Sequence, residues 1–89
     1  MNEFDMKQHE LFMKEALSLA KTAYEQGEVP VGAVVVCNGE IVGRGYNRRE
    51  GGKNALAHAE IAAIDEACRT LKGWRLWRCD LYVTLEPCP

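Results

Sequence analysis

The sequence lacks an apolar run long enough to cross a bilayer. Its longest, Val29 to Cys37, falls well short of the roughly 20 residues a membrane helix needs. No basic segment leads into an apolar stretch at the N-terminus, so no signal peptide is expected. Internal repeats, low-complexity tracts and interdomain linkers are also lacking. Nor does one sign of charge dominate: 13 acidic against 11 basic residues leave a net charge of −2, which makes no general case for nucleic acid. Disorder is excluded by composition, at 47% hydrophobic and 27% charged. Four cysteines with no export pattern read as reduced thiols of a cytoplasmic protein rather than as a disulfide framework.

What is present is unevenly placed. Residues 1–29 hold Glu3, Asp5, Glu10, Glu15, Glu25 and Glu28 against Lys7, Lys14 and Lys21. Residues 44–58 hold Arg44, Arg48, Arg49 and Lys53 against Glu50. A basic, glycine-containing loop of this kind either contacts phosphate or is simply solvated.

Apolar spacing predicts a helix from about Lys7 to Gln26, with Phe12, Ala16, Leu19 and Ala23 beside Met13, Leu17, Ala20 and Tyr24. Gly27 suits a left-handed cap and Pro30 bars continuation. Val31–Cys37 reads as a strand buried on both faces. Asn38-Gly39 then predicts a type I′ hairpin into a second strand, Glu40–Tyr46. Gly43 and Gly45 mark that strand as an edge or a place of close backbone approach. A second helix is expected from near His58 to Gly73, with Ala57, Ile61, Ile64, Cys68 and Leu71 as its apolar stripe. A third strand follows at Leu81–Leu85, and Pro87 suits the first position of a further helix. This order implies an α/β fold with a mixed sheet, the second helix forming a crossover that sets strands parallel. Trp74 and Trp77 are expected to pack between helix and strand. His9 is expected in solvent, Cys68 in the core, and Cys37 and Cys79 in structural roles.

His58-Ala59-Glu60 falls in the first turn of the second helix, at the sheet end where open α/β folds bind ligands. A His and a Glu there serve either as caps complementing the helix dipole or as a site. Cys88 is expected at a helix N-terminus, where the dipole favours thiolate. Zinc takes thiolate sulfur and neutral imidazole together, with three protein ligands in catalytic sites. His58 and Cys88 are therefore expected to converge on one metal. A third ligand, a cysteine three residues after Cys88, would be residue 91, beyond Pro89.

His58-Ala59-Glu60 with Pro87-Cys88 resembles the H-x-E…P-C-x-x-C pattern of the zinc-dependent nucleobase deaminases. The likeness is wider than the motif: Glu28–Val36, Asn47-Arg48, Ala57–Ile61 and Leu81–Cys88 resemble the bacterial tRNA-specific adenosine deaminases. That resemblance implies a three-layer α/β/α cytidine-deaminase-like fold, of which residues 1–89 would be the N-terminal portion of a single catalytic domain. It implies Zn2+ on His58 and Cys88, and Glu60 as the proton shuttle. It implies Asn47 as the group that orients the target base, backbone donors around Ala59, and Val31 and Leu85 as pocket walls. The implied partner is a tRNA anticodon stem-loop, the implied assembly a homodimer, and the implied reaction adenosine to inosine at the wobble position.

Two other readings compete. The zinc motif is shared with deaminases of free guanine, cytosine or nucleotides. Alternatively the chain is an inactive fragment with an incomplete zinc site, since two protein ligands hold the metal loosely. Made alone, the 89 residues are expected to be unstable and inactive.

Overall fold

Two glycine-containing strands flank the decisive turn. Asn38 and Gly39 both adopt positive φ, 53° and 79°, as a type I′ turn requires. They join β1 (Val31–Cys37) to β2 (Glu40–Tyr46), antiparallel from Gly32↔Tyr46 to Cys37↔Glu40. One bulge interrupts the ladder, where Val35 faces Gly43 and Val36 faces Ile41. The computed structural model describes residues 3–48, 54–73 and 78–85. Trp74 and Trp77 lie outside them.

The first helix, α1 (Glu3–Glu25), precedes the hairpin. It ends in a Schellman motif: Glu28 N–H donates to Ala23 O and Gly27 N–H to Tyr24 O, with Gly27 at φ 81°. The second helix, α2 (Ala55–Thr70), begins three residues before the expected start, because Ala55, Leu56 and Ala57 all tolerate helical backbone well. It too ends in a Schellman motif, Gly73 N–H to Cys68 O and Lys72 N–H to Arg69 O. Here Lys72 rather than a glycine takes the left-handed position, at φ 56°. The third strand, β3 (Cys79–Leu85), starts two residues earlier than expected.

Strand order is β2-β1-β3, so β1 is central and Val31–Val36 are all buried. β3 runs antiparallel to β1, from Val31↔Leu85 to Cys37↔Cys79. The crossover through α2 does set β3 parallel to β2, but it deposits β3 on the far side of β1. Both adjacent pairs among the described residues are therefore antiparallel, and the mixed character expected of the sheet is not seen within them.

The layers are held by small residues. A Cβ on Gly32 would lie 2.0 Å from Ala16 O of α1; Cβ atoms on Gly43 and Gly45 would lie 2.1 Å from Ala63 O and 2.4 Å from Ala59 O of α2. Register places Gly32 on the opposite face from Gly43 and Gly45, because side chains alternate along a strand. One helix thus covers each face, giving the three-layer α/β/α arrangement. Such close approach admits only alanine on the helices: Ala16, Ala20 and Ala23 on α1, and Ala55, Ala59, Ala63 and Ala67 on α2. This overturns part of the expected stripe on α2, of which Ile64 still packs against the core and Cys68 is half-buried. Ile61 and Leu71 are exposed, Ile61 at 63%, since the glycines bring the backbone too near for a larger side chain to face inward. Leu17 and Tyr24 of α1 are likewise exposed. Among the described residues no helix is long and apolar enough to cross a membrane.

Candidate active site

Asn47 follows β2 directly, and its backbone N–H donates to Val31 O at 3.1 Å, extending the ladder by one residue. That bond draws the side chain inward, where it is 0% exposed. A buried amide needs partners. Its Nδ2 donates to Val29 O at 3.3 Å, and its Oδ1 lies 3.4 Å from His58 Nδ1. The hairpin and α2, separate elements in the chain, are thereby joined at one sheet end through a pair of polar side chains.

His58 is half-buried and is the fourth residue of α2, its N–H bonded to Asn54 O. It lines a cleft of about 240 Å³ with Tyr46, Arg48, Ile61, Ala62 and Asp65. Within the cleft the Arg48 guanidinium sits 4.5 Å from the centre of the Tyr46 ring, a cation–π contact. Gln26 Nε2 donates to the Tyr46 hydroxyl at 3.4 Å. Neither Tyr46 nor this stacking was singled out from the sequence. The i, i+2 spacing of Tyr46 and Arg48, which puts alternate side chains on one face of an extended segment, is the signal that could have found it. Glu28 was also missed as an individual residue. Between α1 and β1, it carries a buried Oε2 with no hydrogen-bond partner.

Glu60, two residues beyond His58, is half-buried and outside the cleft lining. Val31 and Ala59 are buried and belong to one core cluster beneath α2. Because α2 starts at Ala55, the N–H groups of its first turn are those of residues 55–57, and that of Ala59 falls within the helical ladder. Leu85 closes β3 opposite Val31. Cys88 lies outside the described residues. Among those described, no three His, Cys, Asp or Glu side chains are grouped to hold a metal. The donor chemistry nevertheless fits zinc. His58 contributes an imidazole at the Val31 end of the sheet, the end at which β3 finishes and the chain continues toward Cys88.

The basic segment is divided by the fold. Arg44 belongs to β2, where its Nε donates to Glu15 Oε2 at 2.6 Å and its backbone N–H to Glu66 Oε1 at 3.1 Å. Its charge is matched within the molecule, which leaves Arg48 as the cation at the cleft among the described residues. Arg49 and Lys53 lie outside the described residues. His9, expected in solvent, is instead half-buried and hydrogen-bonded to the Tyr82 hydroxyl. Phe12 stacks on the same ring at 5.3 Å between centroids. Helix α1 brings this cluster to the opposite end of the sheet from His58.

Comparison with known proteins agrees with this arrangement. Residues 6–89 match the family model described as the cytidine and deoxycytidylate deaminase zinc-binding region. A tRNA-specific adenosine deaminase of Bacillus subtilis (strain 168) is 60% identical over 84 residues, which cover 94% of this chain and 52% of that protein. A solved structure from a study of A-to-I editing by tRNA:A34 deaminases at the wobble position superposes with a TM-score of 0.75 at 49% identity, covering 90% of this chain and 62% of that one. A guanine deaminase of Bacillus subtilis superposes with a TM-score of 0.73 at 40% identity, covering all of this chain and 54% of that one. The chain spans about half the length of the curated relatives it matches.

Proposed function

This chain belongs to the cytidine and deoxycytidylate deaminase family, whose matched region binds zinc, and we propose that it deaminates adenosine to inosine at the wobble position of tRNA. The observation that carries the reading is the buried Asn47 amide held between Val29 O and His58. An amide presents both a donor and an acceptor, and its burial fixes it beside the histidine before any base arrives. Similarity to relatives that act on tRNA adenosine supports the substrate.

His58 and Cys88 would hold the metal. When bound, zinc lowers the pKa of water toward neutrality and so makes hydroxide available. Asn47 orients the purine. By the same resemblance Val31 and Leu85 would wall the pocket, whereas the Ala59 N–H is taken up within the helical ladder of α2. Glu60 carries one proton of the attacking water to ring N1 as the C6–O bond forms, then carries the remaining hydroxyl proton to the departing amine as the C6–N bond breaks, so that ammonia leaves and the product keeps its N1–H. Arg48, stacked on Tyr46 at the cleft, offers a cation that suits the phosphates of an anticodon stem-loop. The exposed Leu56 and Ile61 on α2 support a homodimer, and the substrate supports a cytoplasmic location.

The test is turnover by the full-length protein of a tRNA anticodon stem-loop and of free guanine. Inosine in the RNA is expected. Conversion of guanine with no change in tRNA would favour the second reading, to which the guanine deaminase fold lends weight. The variant Glu60→Gln should lower turnover about 10²–10⁴-fold while zinc content stays at the wild-type level. Loss of zinc along with activity would make Glu60 structural instead.

A further inference from the structure

At the end of the sheet away from His58, three thiols gather on one face. Cys37 ends the row Val31, Ala33, Val35 beneath α2, and Cys79 packs against the same cluster. Cys68 on α2 is close enough to bear on the Cys79 thiol electrostatically. None of Cys37, Cys68 and Cys79 is in a disulfide. Cys37 and Cys79 are direct cross-strand partners in the β1–β3 ladder, and the Cys37 thiol bears directly on that of Cys79. Directly opposed residues of an antiparallel pair have Cα atoms about 4.5–5.5 Å apart, inside the range of about 4.4–6.8 Å that disulfides span. Being opposed, they also share a face. The register alone therefore puts the pair within disulfide range.

We propose that Cys37 and Cys79 form a reversible cross-strand disulfide by exchange with a low-molecular-weight disulfide. Burial pushes the Cys79 thiol up to about 11, with Cys37 the next cause; either thiol can open the exchange, and the steps are the same with the two exchanged. The Cys37 thiolate attacks one sulfur of the small disulfide, whose S–S bond breaks and expels the first small thiolate. Cys79 then gives its proton to solvent and attacks the Cys37 sulfur, expelling the second. Two protein thiols are oxidised, one small disulfide is reduced to two thiols, and the two protons released are taken up by them. The bond closes a loop from residue 37 to residue 79 that contains Asn47 and α2, and it locks β3 in register on β1.

Oxidised glutathione tests this on the full chain. After incubation at rising ratios and alkylation of remaining thiols, peptide mapping should show Cys37 joined to Cys79 and Cys68 alkylated. Reducing thiol should reverse the bond, the oxidised form should show a higher Tm, and Cys68→Ala should leave the crosslink unchanged. Cys37 and Cys79 both alkylated at every ratio would overturn the proposal. So would a crosslink that includes Cys68, or a glutathione adduct that persists on Cys37.

Discussion

The two ends of β1 share one ladder and differ in what they bury. At the Val31 end an amide and an imidazole meet, Asn47 fully buried and His58 beside the cleft. At the Cys37 end the ladder finishes in two opposed thiols and a tight turn, with His9 and Tyr82 paired on the other face of the sheet. Asn47 at one end and His9 at the other find partners within the molecule, whereas Glu28 Oε2, just before β1, is buried without one. The two ends differ in closure. At the Cys37 end the hairpin joins β1 and β2 by a tight turn and one connection arrives, from α2 into β3, whereas at the Val31 end the chain arrives from α1, leaves β2 toward α2, and leaves β3 toward Cys88. Chemistry gathers where several chain segments exit a sheet, because each can present a side chain there.

Glycine substitutions break the comparison most severely. Gly45→Val would put a side chain 2.4 Å from Ala59 O and 2.6 Å from Ala63 N, both backbone atoms of α2. A loss of about 3 kcal/mol or more is expected, read as collapse of the urea midpoint. At the turn, Gly39→Ala meets nothing nearer than Gln8 Nε2 at 3.8 Å and should cost only about 1–2 kcal/mol, from its positive φ. Similar losses at the two sites would mean that α2 does not rest on β2 as closely as described.

Asn47→Ala tests whether the polar end is a stability device as well as a site. It removes one of two donors to the Val29 carbonyl, which keeps the Val31 N–H, and should cost about 0.5–1.5 kcal/mol, with a fall in turnover beyond the fraction unfolded. The thiol end is probed by alkali. An ordinary thiol ionises near 9.0, whereas Cys79 holds its proton up to about 11 through burial, Cys37, Asp80 and Cys68. Between those values the unfolded chain binds fewer protons than the folded one. Stability is therefore full below pH 9 and falls as pH rises toward 11. Tyr82, pushed up by burial and then by Asp80, acts in the same direction. Urea midpoints measured across that window should decline, and less so in Cys79→Ala. The smallest effect belongs between the ends: Arg44→Ala removes an ion pair whose side chains are 47% and 36% exposed. It should change stability by no more than about 1 kcal/mol, with the change reduced in high salt.

Much of this was legible in the residues alone. The hairpin followed from Asn38-Gly39, whose φ requirements are local. The end of α1 followed from Gly27, and the three strands from β-branched runs and turns. His58, Glu60 and Cys88 stood out because few residue types bind zinc or move protons. The inward face of α2 was misread for a physical reason. Apolar size points to Ile61 and Leu71, but the glycines of β2, distant in sequence, bring the helix so close that only alanine fits directly over them, with Ile64 packed at the side.

The sequence by itself determined the elements, the turn and the chemical types of the site residues, since these depend on interactions within a few positions along the chain. Tertiary structure alone decided that β3 lies across β1 from β2, that Asn47 is buried against His58, that Arg44 answers to Glu15, and that Cys37 faces Cys79. Each of those depends on the distance between elements, and here that distance is set by where a side chain is missing.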